Sequence, residues 1–491
     1  MFDLVVKNAE VVRPRTAGTE RLDIGITDGR FTSLAPSIDA TEAQQVFDAA
    51  GLLAFPGVVD AHMHFGIYNE LSEDISTESR ASALGGVTSG ISYMRTGQYY
   101  LNRGGPYADF FPDVLNLVEK RSHIDYGFHL SPIQSAHIDE IEALVDGAGV
   151  SSFKIYMFYG GHGLHGRSDD QASFLMTPPG ERYDYAHFEF IMRGIERAMA
   201  RFPEKAPYIS CSLHCETAEI MTAYSKIVET GDLTGLEAYS ASRPPHSEGL
   251  AIAVAAYLAH ETGCANINLL HLSSAKAIES ALRMAEAYPH VNFRREVTVG
   301  HLLADINTAN GTYGKVNPPI RPREDVEALW EAVVAGNVDW VVSDHACCRP
   351  EMKLNAEHPD DVFLAKAGFG GTEYLLSGVL SEGRKRGLSN TRVAELLSWN
   401  PAQRFGLLSK GTIAEGYDAD LAIVDPDESF TVRAAESEST QGYTPFEGHQ
   451  LTGRVKHTFL RGHQILNGGK VVGQPTGRFL ARPTAAPPGS E

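Results

Sequence analysis

The sequence has no apolar run long enough to cross a membrane, and its first residues lack the basic and apolar regions of a secretory signal. We therefore expect a cytoplasmic protein without a membrane partner. Basic charge is also scarce, because 42 lysine and arginine residues stand against 62 acidic ones, a formal net charge of −20. Such a chain has no basic field to hold phosphates, which argues against nucleic acid and favours a small-molecule partner.

Cysteine is rare and unpaired in its spacing. The five residues are odd in number and form no CxxC pair, so they predict neither a disulfide framework nor a thiolate zinc site. We expect reduced and mostly buried thiols at Cys211, Cys215, Cys264, Cys347 and Cys348.

The middle of the chain alternates short apolar, β-rich runs with longer helix-like segments. Strands that are apolar throughout are typical of parallel sheets covered on both faces. Eight such runs predict a closed (β/α)₈ barrel of the TIM type over residues 57–408. The runs are GVVDAHMHF, TSGISYM, DYGFHLS, SSFKIYMFY, YISCSLHCE, INLLHLS, VNFRREVT and VDWVVSDHA.

Both flanks of this barrel are β-rich with turn residues between short strands. Residues 1–56 and 409–475 therefore predict one small β-sandwich domain built from both parts of the chain. The remaining residues, 476–491, are rich in proline, alanine and small polar residues, and predict an arm or a disordered tail.

Metal-capable side chains occur at or near the ends of several predicted strands, where barrel enzymes build their active sites. His62 and His64 are two residues apart, so both leave the same face of a strand and can bind one ion. His214, His271 and Asp344 each end another run. Any one of them alone could be an ordinary strand histidine or a carboxylate that caps a helix. Together they form a suitable ligand set for Zn²⁺ or a similar divalent ion.

Lys154 is anomalous, because lysine is among the residues least often buried and SSFKIYMFY reads as a buried strand. Desolvation in such a strand would lower the pKa of the amine and favour its neutral form. The alternative is a lysine that extends past the strand end or pairs with an acid.

Several motifs, taken in order, resemble the amidohydrolase superfamily, and in particular its cyclic-amidase branch of dihydropyrimidinases (hydantoinases), allantoinases and dihydroorotases. The similarity runs from the first strands to about residue 470. It rests on PGVVDAHMHF, FKIYMFY, LHCET, LLHLSS, SDHA and NPAQRFGLLSKGTIAEGYDADLAIVDP.

The resemblance implies a binuclear hydrolase in which Lys154 carries a CO₂-derived carbamate (N6-carboxylysine) that bridges two divalent ions. Zinc is the expected metal, with manganese, cobalt or iron as alternatives. His62, His64 and Asp344 would then hold one ion, and His214 and His271 the other. The resemblance also implies a bridging hydroxide as nucleophile, with Asp344 as the general base that later protonates the leaving nitrogen.

Further roles follow from the same resemblance. Tyr159 stands where hydantoinase-like members place a tyrosine that stabilises the oxyanion, although it could also be an aromatic plug. Asn317 is a candidate contact for a ring amide. Tyr68, His162 and Arg167 lie in loops that could contact substrate or be plain solvated loops.

We expect a metal-dependent hydrolase that opens the C–N bond of a cyclic amide, imide or ureide, most like a hydantoinase. Dihydroorotases have a carboxylate-binding arginine where this chain has Gly66, which argues against an acidic ring. The alternatives are an allantoinase or a linear amide hydrolase on the same site, a deaminase, or a non-catalytic scaffold of the dihydropyrimidinase-related kind. The resemblance also implies a homo-oligomer, most often a tetramer.

Overall fold

The structure is a computed structural model that describes residues 1–164 and 171–487, with backbone alone at 171 and 172. Two sheets organise it, an eight-stranded parallel sheet and a nine-stranded mixed sheet. The strands are β1 (Phe2–Val11), β2 (Glu20–Thr27), β3 (Arg30–Ala35), β4 (Ala43–Asp48), β5 (Leu53–Pro56), β6 (Val58–Met63), β7 (Val87–Met94), β8 (Asp125–Leu130), β9 (Ser152–Tyr156), β10 (Ser210–His214), β11 (Asn266–Leu269), β12 (Asn292–Thr298), β13 (Trp340–Val342), β14 (Leu421–Thr431), β15 (Gln450–Leu460), β16 (His463–Asn467) and β17 (Lys470–Val471).

Helices separate the strands of the parallel sheet, as expected of a barrel. They are α1 (Leu71–Leu84), α2 (Phe111–Val118), α3 (Ser135–Gly147), α4 (Gln171–Leu175), α5 (Tyr185–Arg201), α6 (Ala218–Glu229), α7 (Gly235–Ser242), α8 (Pro245–Thr262), α9 (Ala275–Ala287), α10 (Val299–Leu303), α11 (Arg323–Val334), α12 (Pro350–Lys353), α13 (Leu375–Lys385), α14 (Asn390–Ala394) and α15 (Asn400–Arg404), with a π-helical turn at Glu395–Trp399. None of the helices described is both long and apolar enough to span a membrane.

The parallel sheet runs in sequence order from β6 to β13 and closes into a barrel. The closing contacts join β6 to the residues after β13: the His64 backbone N–H donates to the His345 carbonyl at 2.8 Å, and Met63 bridges to His345. Every residue of β6 to β10 is buried, because helices cover the outside and side chains fill the inside. The predicted barrel is confirmed.

The mixed sheet joins the two flanks of the barrel directly. Strand β14 pairs antiparallel with β5, with Leu421 opposite Pro56 and Val424 opposite Leu53. Alternate residues of the mixed sheet pack into a separate apolar core, which includes Val6, Ile24, Phe31, Leu421, Ile423 and Phe459. The second domain built from both flanks is therefore present, and the domain boundaries at residues 56, 408 and 475 stay predictions.

A short arm after the mixed sheet returns to the barrel. The Gly477 backbone N–H donates to the Ser122 carbonyl at 2.9 Å, and the Leu480 N–H donates to the Tyr126 carbonyl at 2.7 Å. The buried side chain of Arg482 reaches two neighbouring strands, donating to Ser152 Oγ on β9 at 2.8 Å and to the Phe128 carbonyl on β8. Since β8 and β9 share the single register pair Leu130–Phe153, Arg482 joins the two strands where their own pairing is sparse.

Candidate metal centre and active site

Six predicted ligands meet at one end of the barrel, because the carboxyl ends of all eight parallel strands point the same way. One lies on β6 and another directly follows that strand, one lies on β9, one ends β10, and two follow β11 and β13. In chain order they are His62, His64, Lys154, His214, His271 and Asp344, and all six are buried.

The distances between these side chains are short enough for shared ligation. Asp344 Oδ1 lies 3.2 Å from His62 Nε2 and 3.0 Å from His64 Nε2. Lys154 Nζ lies 3.1 Å from His62 Nε2. The ring centroids of His214 and His271 are 4.3 Å apart, beside the first group. The structure thus brings together all the residues that the sequence nominated for two ions.

Two of the six residues have a backbone conformation that side-chain-bearing residues seldom adopt. His271 has φ 34° and Asp344 has φ 55°, both in the left-handed region. Outside glycine this region costs free energy and persists where the surrounding structure imposes it, often at functional sites. Both strands therefore end in a strained turn that directs the side chain towards the barrel axis.

Three of the histidines are oriented by a hydrogen bond on the ring nitrogen opposite the cluster. His62 Nδ1 pairs with Glu296 Oε1 at 2.7 Å, His64 Nδ1 pairs with the Tyr100 hydroxyl, and His214 Nε2 pairs with Glu216 Oε2 at 2.6 Å. Such partners fix the tautomer and leave the second nitrogen for a metal.

His271 supplies the observation that tests whether a cation fits. Its Nδ1 is buried and has no hydrogen-bond partner among the described residues, although buried polar atoms are nearly always paired. Burial also lowers the pKa of His62 and His271 well below the usual value, and that of His214 to about 4. All three rings are therefore neutral, the form that ligates, and the nitrogen and oxygen donor set fits a first-row divalent ion.

Lys154 lies within this cluster with 1% of its surface exposed. Burial lowers the pKa of its amine to about 7, because a charged ammonium loses its hydration there. The Nζ atom lies between two aromatic rings, 4.1 Å from the ring centroid of Tyr93 and 4.4 Å from that of Tyr156. A large fraction of this lysine is thus a neutral amine near neutral pH.

A cavity opens above the cluster. Its floor includes five of the six residues, and its walls are mainly apolar. The walls and floor are formed by His64, Ile67, Tyr100, Lys154, Tyr156, Phe158, Tyr159, Leu164, His214, His271, Val316, Asn317, Asp344, Ala346, Ala367 and Gly368. Mainly apolar walls with a few polar side chains converging among them are typical of a small-molecule site.

Comparison with known proteins agrees with this geometry. A family profile described as "Amidohydrolase family" matches residues 212–469. An allantoinase of Rubrobacter xylanophilus is 35% identical over 485 residues, covering 98% of this chain and 97% of the relative. An allantoinase of Deinococcus radiodurans is 31% identical, with 98% of each chain covered. The chain belongs to the amidohydrolase family.

A solved relative gives the same result in three dimensions. The structure of L-hydantoinase (dihydropyrimidinase) from Arthrobacter aurescens superposes with a TM-score of 0.83 at 28% identity, covering 98% of this chain and 99% of that one. Together with the allantoinase relatives, this match places the amidohydrolase in the cyclic-amidase branch of the superfamily.

Tyr159 and Asn317 both line the cavity of this amidohydrolase. The Asn317 side chain is already engaged: its Nδ2 donates to the Leu164 carbonyl at 2.8 Å, and its Oδ1 accepts from Arg243 Nη1 at 2.8 Å and from the Tyr239 hydroxyl at 2.5 Å. A substrate that keeps these bonds would meet the Asn317 backbone rather than its amide.

Two other predicted contacts lie outside this lining. The Tyr68 hydroxyl donates to the Ala367 carbonyl at 2.5 Å, behind the cavity wall. His162 is buried, and its backbone N–H donates to the Phe158 carbonyl at 2.8 Å. Neither side chain is among the described residues that line the cavity. Arg167 lies outside the described residues, so all three assignments stay predictions.

Sequence reasoning missed the carboxylates that orient the ligands. Glu216 joins His214 to Arg243, whose Nε and Nη2 donate to its two oxygens at 2.9 and 2.8 Å. No strand pattern pointed to Glu216, because it lies two residues beyond the end of β10. Burial raises the pKa of Glu216, but Arg243 and His214 outweigh this, so the carboxyl stays ionised. The chain of bonds continues through Arg243 to Asn317.

Replacing Glu216 by glutamine should weaken metal binding without removing a ligand. We expect Glu216→Gln to lower metal affinity about 10–100-fold, because the amide no longer holds His214 by a charge-assisted bond. Titration against a competing chelator measures the affinity, and turnover at saturating metal should largely recover. Glu219→Gln is the control, since Glu219 is exposed on α6. Equal affinity in both variants would contradict this role.

Proposed function

We propose that this amidohydrolase opens the ring C–N bond of a cyclic ureide of the hydantoin type, using two divalent metal ions. The observation that carries the proposal is the convergence of six ligand side chains at one end of the barrel, five of them on the floor of a cavity beside the phenol of Tyr159. The names of the relatives support it, since allantoinases and hydantoinases act on rings of this class.

His62, His64 and Asp344 would hold one ion, and His214 and His271 would hold the other. Carboxylated Lys154 would bind both ions. We expect zinc, with manganese, cobalt or iron as alternatives. When bound, the ions supply a hydroxide nucleophile near neutral pH and a Lewis acid for the scissile carbonyl. The carbamate converts a buried lysine into an anion, which resolves the cost of burying its charge among histidines.

Asp344 moves the proton in this scheme. Its Oδ1 lies within 3.2 Å of both His62 and His64, and the side chain lines the cavity floor where a ring amide would sit. The carboxylate accepts the proton of the nucleophile during attack and donates it to the departing ring nitrogen. One group thereby serves as general base and then as general acid.

Tyr159 stabilises the developing oxyanion from the wall of the cavity. The side chain is 1% exposed and packs against Tyr156, with ring centroids 4.4 Å apart. A phenol held in this way donates a hydrogen bond with little reorganisation, which is what an oxyanion site requires.

Replacing Tyr159 by phenylalanine should keep the shape of the cavity and remove this donor. We expect kcat for ring opening to fall about 10²-fold with KM within about threefold, because the lost bond forms mainly in the transition state. Steady-state kinetics measure the effect. Tyr257→Phe is the control, because Tyr257 is exposed on α8, away from the cavity lining. An unchanged kcat in Tyr159→Phe would remove Tyr159 from the mechanism.

The substituent on the ring separates two candidate substrates. Allantoin is a hydantoin with a polar ureido group, and the allantoinase relatives favour it at 31–35% identity. The apolar wall formed by Ile67, Leu164, Val316, Ala346 and Ala367 favours a 5-alkyl or 5-aryl hydantoin instead, because an unpaired polar group would lose hydration there.

A substrate panel tests the proposal directly. The metal-loaded protein would be assayed for ring opening of allantoin, both enantiomers of a 5-alkyl hydantoin, dihydrouracil, dihydroorotate and a simple imide. A linear N-acyl amide completes the panel. Ring opening of allantoin or of either 5-alkyl hydantoin enantiomer supports the proposal. Hydrolysis of the linear amide alone would overturn it.

A further inference from the structure

A buried arginine lies beside the cavity, and no carboxylate of the described residues forms an ion pair with it. Arg95 follows β7 at the same barrel end as the ligands and is 1% exposed. Its Nη1 donates to the Thr96 carbonyl at 2.9 Å, while Nε and Nη2 have no hydrogen-bond partner among the described residues. Burying a cation without such partners costs free energy, so other neighbouring groups must stabilise its charge.

Aromatic rings surround the guanidinium instead of carboxylates. Its central carbon lies 5.1 Å from the ring centroid of Tyr100, 5.2 Å from that of Tyr159 and 4.8 Å from that of Phe174. These are cation–π distances, and Arg95 is the shared cation of the three rings.

The backbone is shaped to admit this arrangement. Gly97 has φ 104°, and a Cβ built there would come within 2.8 Å of Arg95 Nη1 and of the Phe174 carbonyl. Any side chain at residue 97 would therefore displace the guanidinium or the segment that carries Phe174. The packing of Arg95 against these rings therefore requires glycine at residue 97.

The two tyrosines on Arg95 serve different parts of the site. Tyr100 bonds to His64 Nδ1 and so orients a candidate metal ligand. Tyr159 is the proposed oxyanion donor, and both rings line the cavity. Arg95 itself lies behind these rings and is not among the described residues that form the lining. The geometry therefore does not favour direct contact between Arg95 and substrate.

We propose that Arg95 is a positioning residue that holds Tyr159 and Tyr100 in place and strengthens the Tyr159 hydroxyl as a hydrogen-bond donor to the oxyanion. A nearby positive charge stabilises the negative charge that a phenol oxygen gains when it donates such a bond. Consistently, burial raises the pKa of Tyr159 and Arg95 opposes that rise. The part that concerns the oxyanion rests on the proposed function.

A double-mutant cycle tests the coupling. The metal-loaded wild type, Arg95→Met, Tyr159→Phe and the double variant would be compared for kcat and KM on whichever ring the wild type opens. We expect Arg95→Met to lower kcat about 10-fold or more with KM within about threefold, but to change kcat less than about threefold once Tyr159 is phenylalanine. An equal loss in both backgrounds would overturn the proposal.

Two variants accompany the cycle. Arg95→Lys keeps the charge and should recover part of kcat, and it carries the measurements if Arg95→Met does not fold. Arg103→Met is the matched control, because Arg103 is exposed in the following loop and its guanidinium also lies over a ring, that of Phe110 at 4.9 Å. It should leave kcat unchanged.

A structural readout requires no turnover. Crystal structures of wild type and Arg95→Met should show the Tyr159 ring displaced from its stacking on Tyr156, or Tyr100 withdrawn from His64. Both rings in their wild-type positions would overturn the positioning role. If the wild type opens no ring of the panel, the proposed function fails, while these two structures still decide whether Arg95 positions the tyrosines.

Discussion

Lys154→Ala should abolish ring opening and release metal from the protein. We expect kcat to fall by at least about 10³-fold, because the chemistry depends on ions that lose their shared anionic ligand. Metal content, measured by inductively coupled plasma mass spectrometry, should fall from about two ions per chain to one or none. In the proposed centre, carboxylated Lys154 is the ligand that both ions share, so its removal takes away the bridge between them.

A small carboxylate should partly replace the missing carbamate. Adding acetate or propionate with zinc to Lys154→Ala should restore part of the activity, because the deleted side chain leaves room beside His62. Lys154→Arg is the matched variant, since it keeps a cation of similar length that cannot form the carbamate and should not respond to the acids. Full activity with two ions in Lys154→Ala would exclude the bridging role.

Asp344→Asn should have the second large effect, through proton transfer. The amide keeps the size of the side chain but accepts no proton, so we expect kcat to fall about 10³–10⁴-fold. At least one ion should remain, because His62, His64, His214 and His271 are unchanged. Steady-state kinetics with metal analysis separate the loss of proton transfer from the loss of metal.

The chain offers a matched control on the same strand. Asp339 lies just before β13, at the opposite end from Asp344, and pairs with Arg294 and Arg295 at 2.9 and 3.0 Å. Asp339→Asn should lower the melting temperature and leave kcat within about twofold, since it touches no group of the site. Comparable kcat losses at both positions would indicate that Asp344→Asn acts by disrupting the fold.

The barrel could be predicted from sequence because most of its strands are buried runs rich in apolar residues, separated by helical segments. The metal-site histidines could be nominated for the same reason, since His62, His214 and His271 stand where runs such as YISCSLH and INLLH end. Lys154 was different: its burial made it conspicuous, but its chemistry came from the family resemblance and not from its spacing.

The groups that orient the ligands were not predictable in the same way. Glu216, Arg243 and Asn317 are connected by hydrogen bonds, yet Arg243 and Asn317 are 74 residues apart in sequence. Arg95 had no motif, since a single arginine after a strand is ordinary until three rings are found around it. Such partners depend on contacts across loops, which local patterns do not encode.

The arm formed by residues 477–484 also has a consequence for the order of folding. Arg482 joins β8 to β9, and β9 carries Lys154. The strand that carries Lys154 is therefore held in part by hydrogen bonds from a residue more than 300 positions later in the chain. During synthesis, a barrel that already contains all eight strands still lacks this support. Strand β9 therefore reaches its final hydrogen bonding only after residue 482 has left the ribosome, so Arg482 is among the last contacts that the barrel gains.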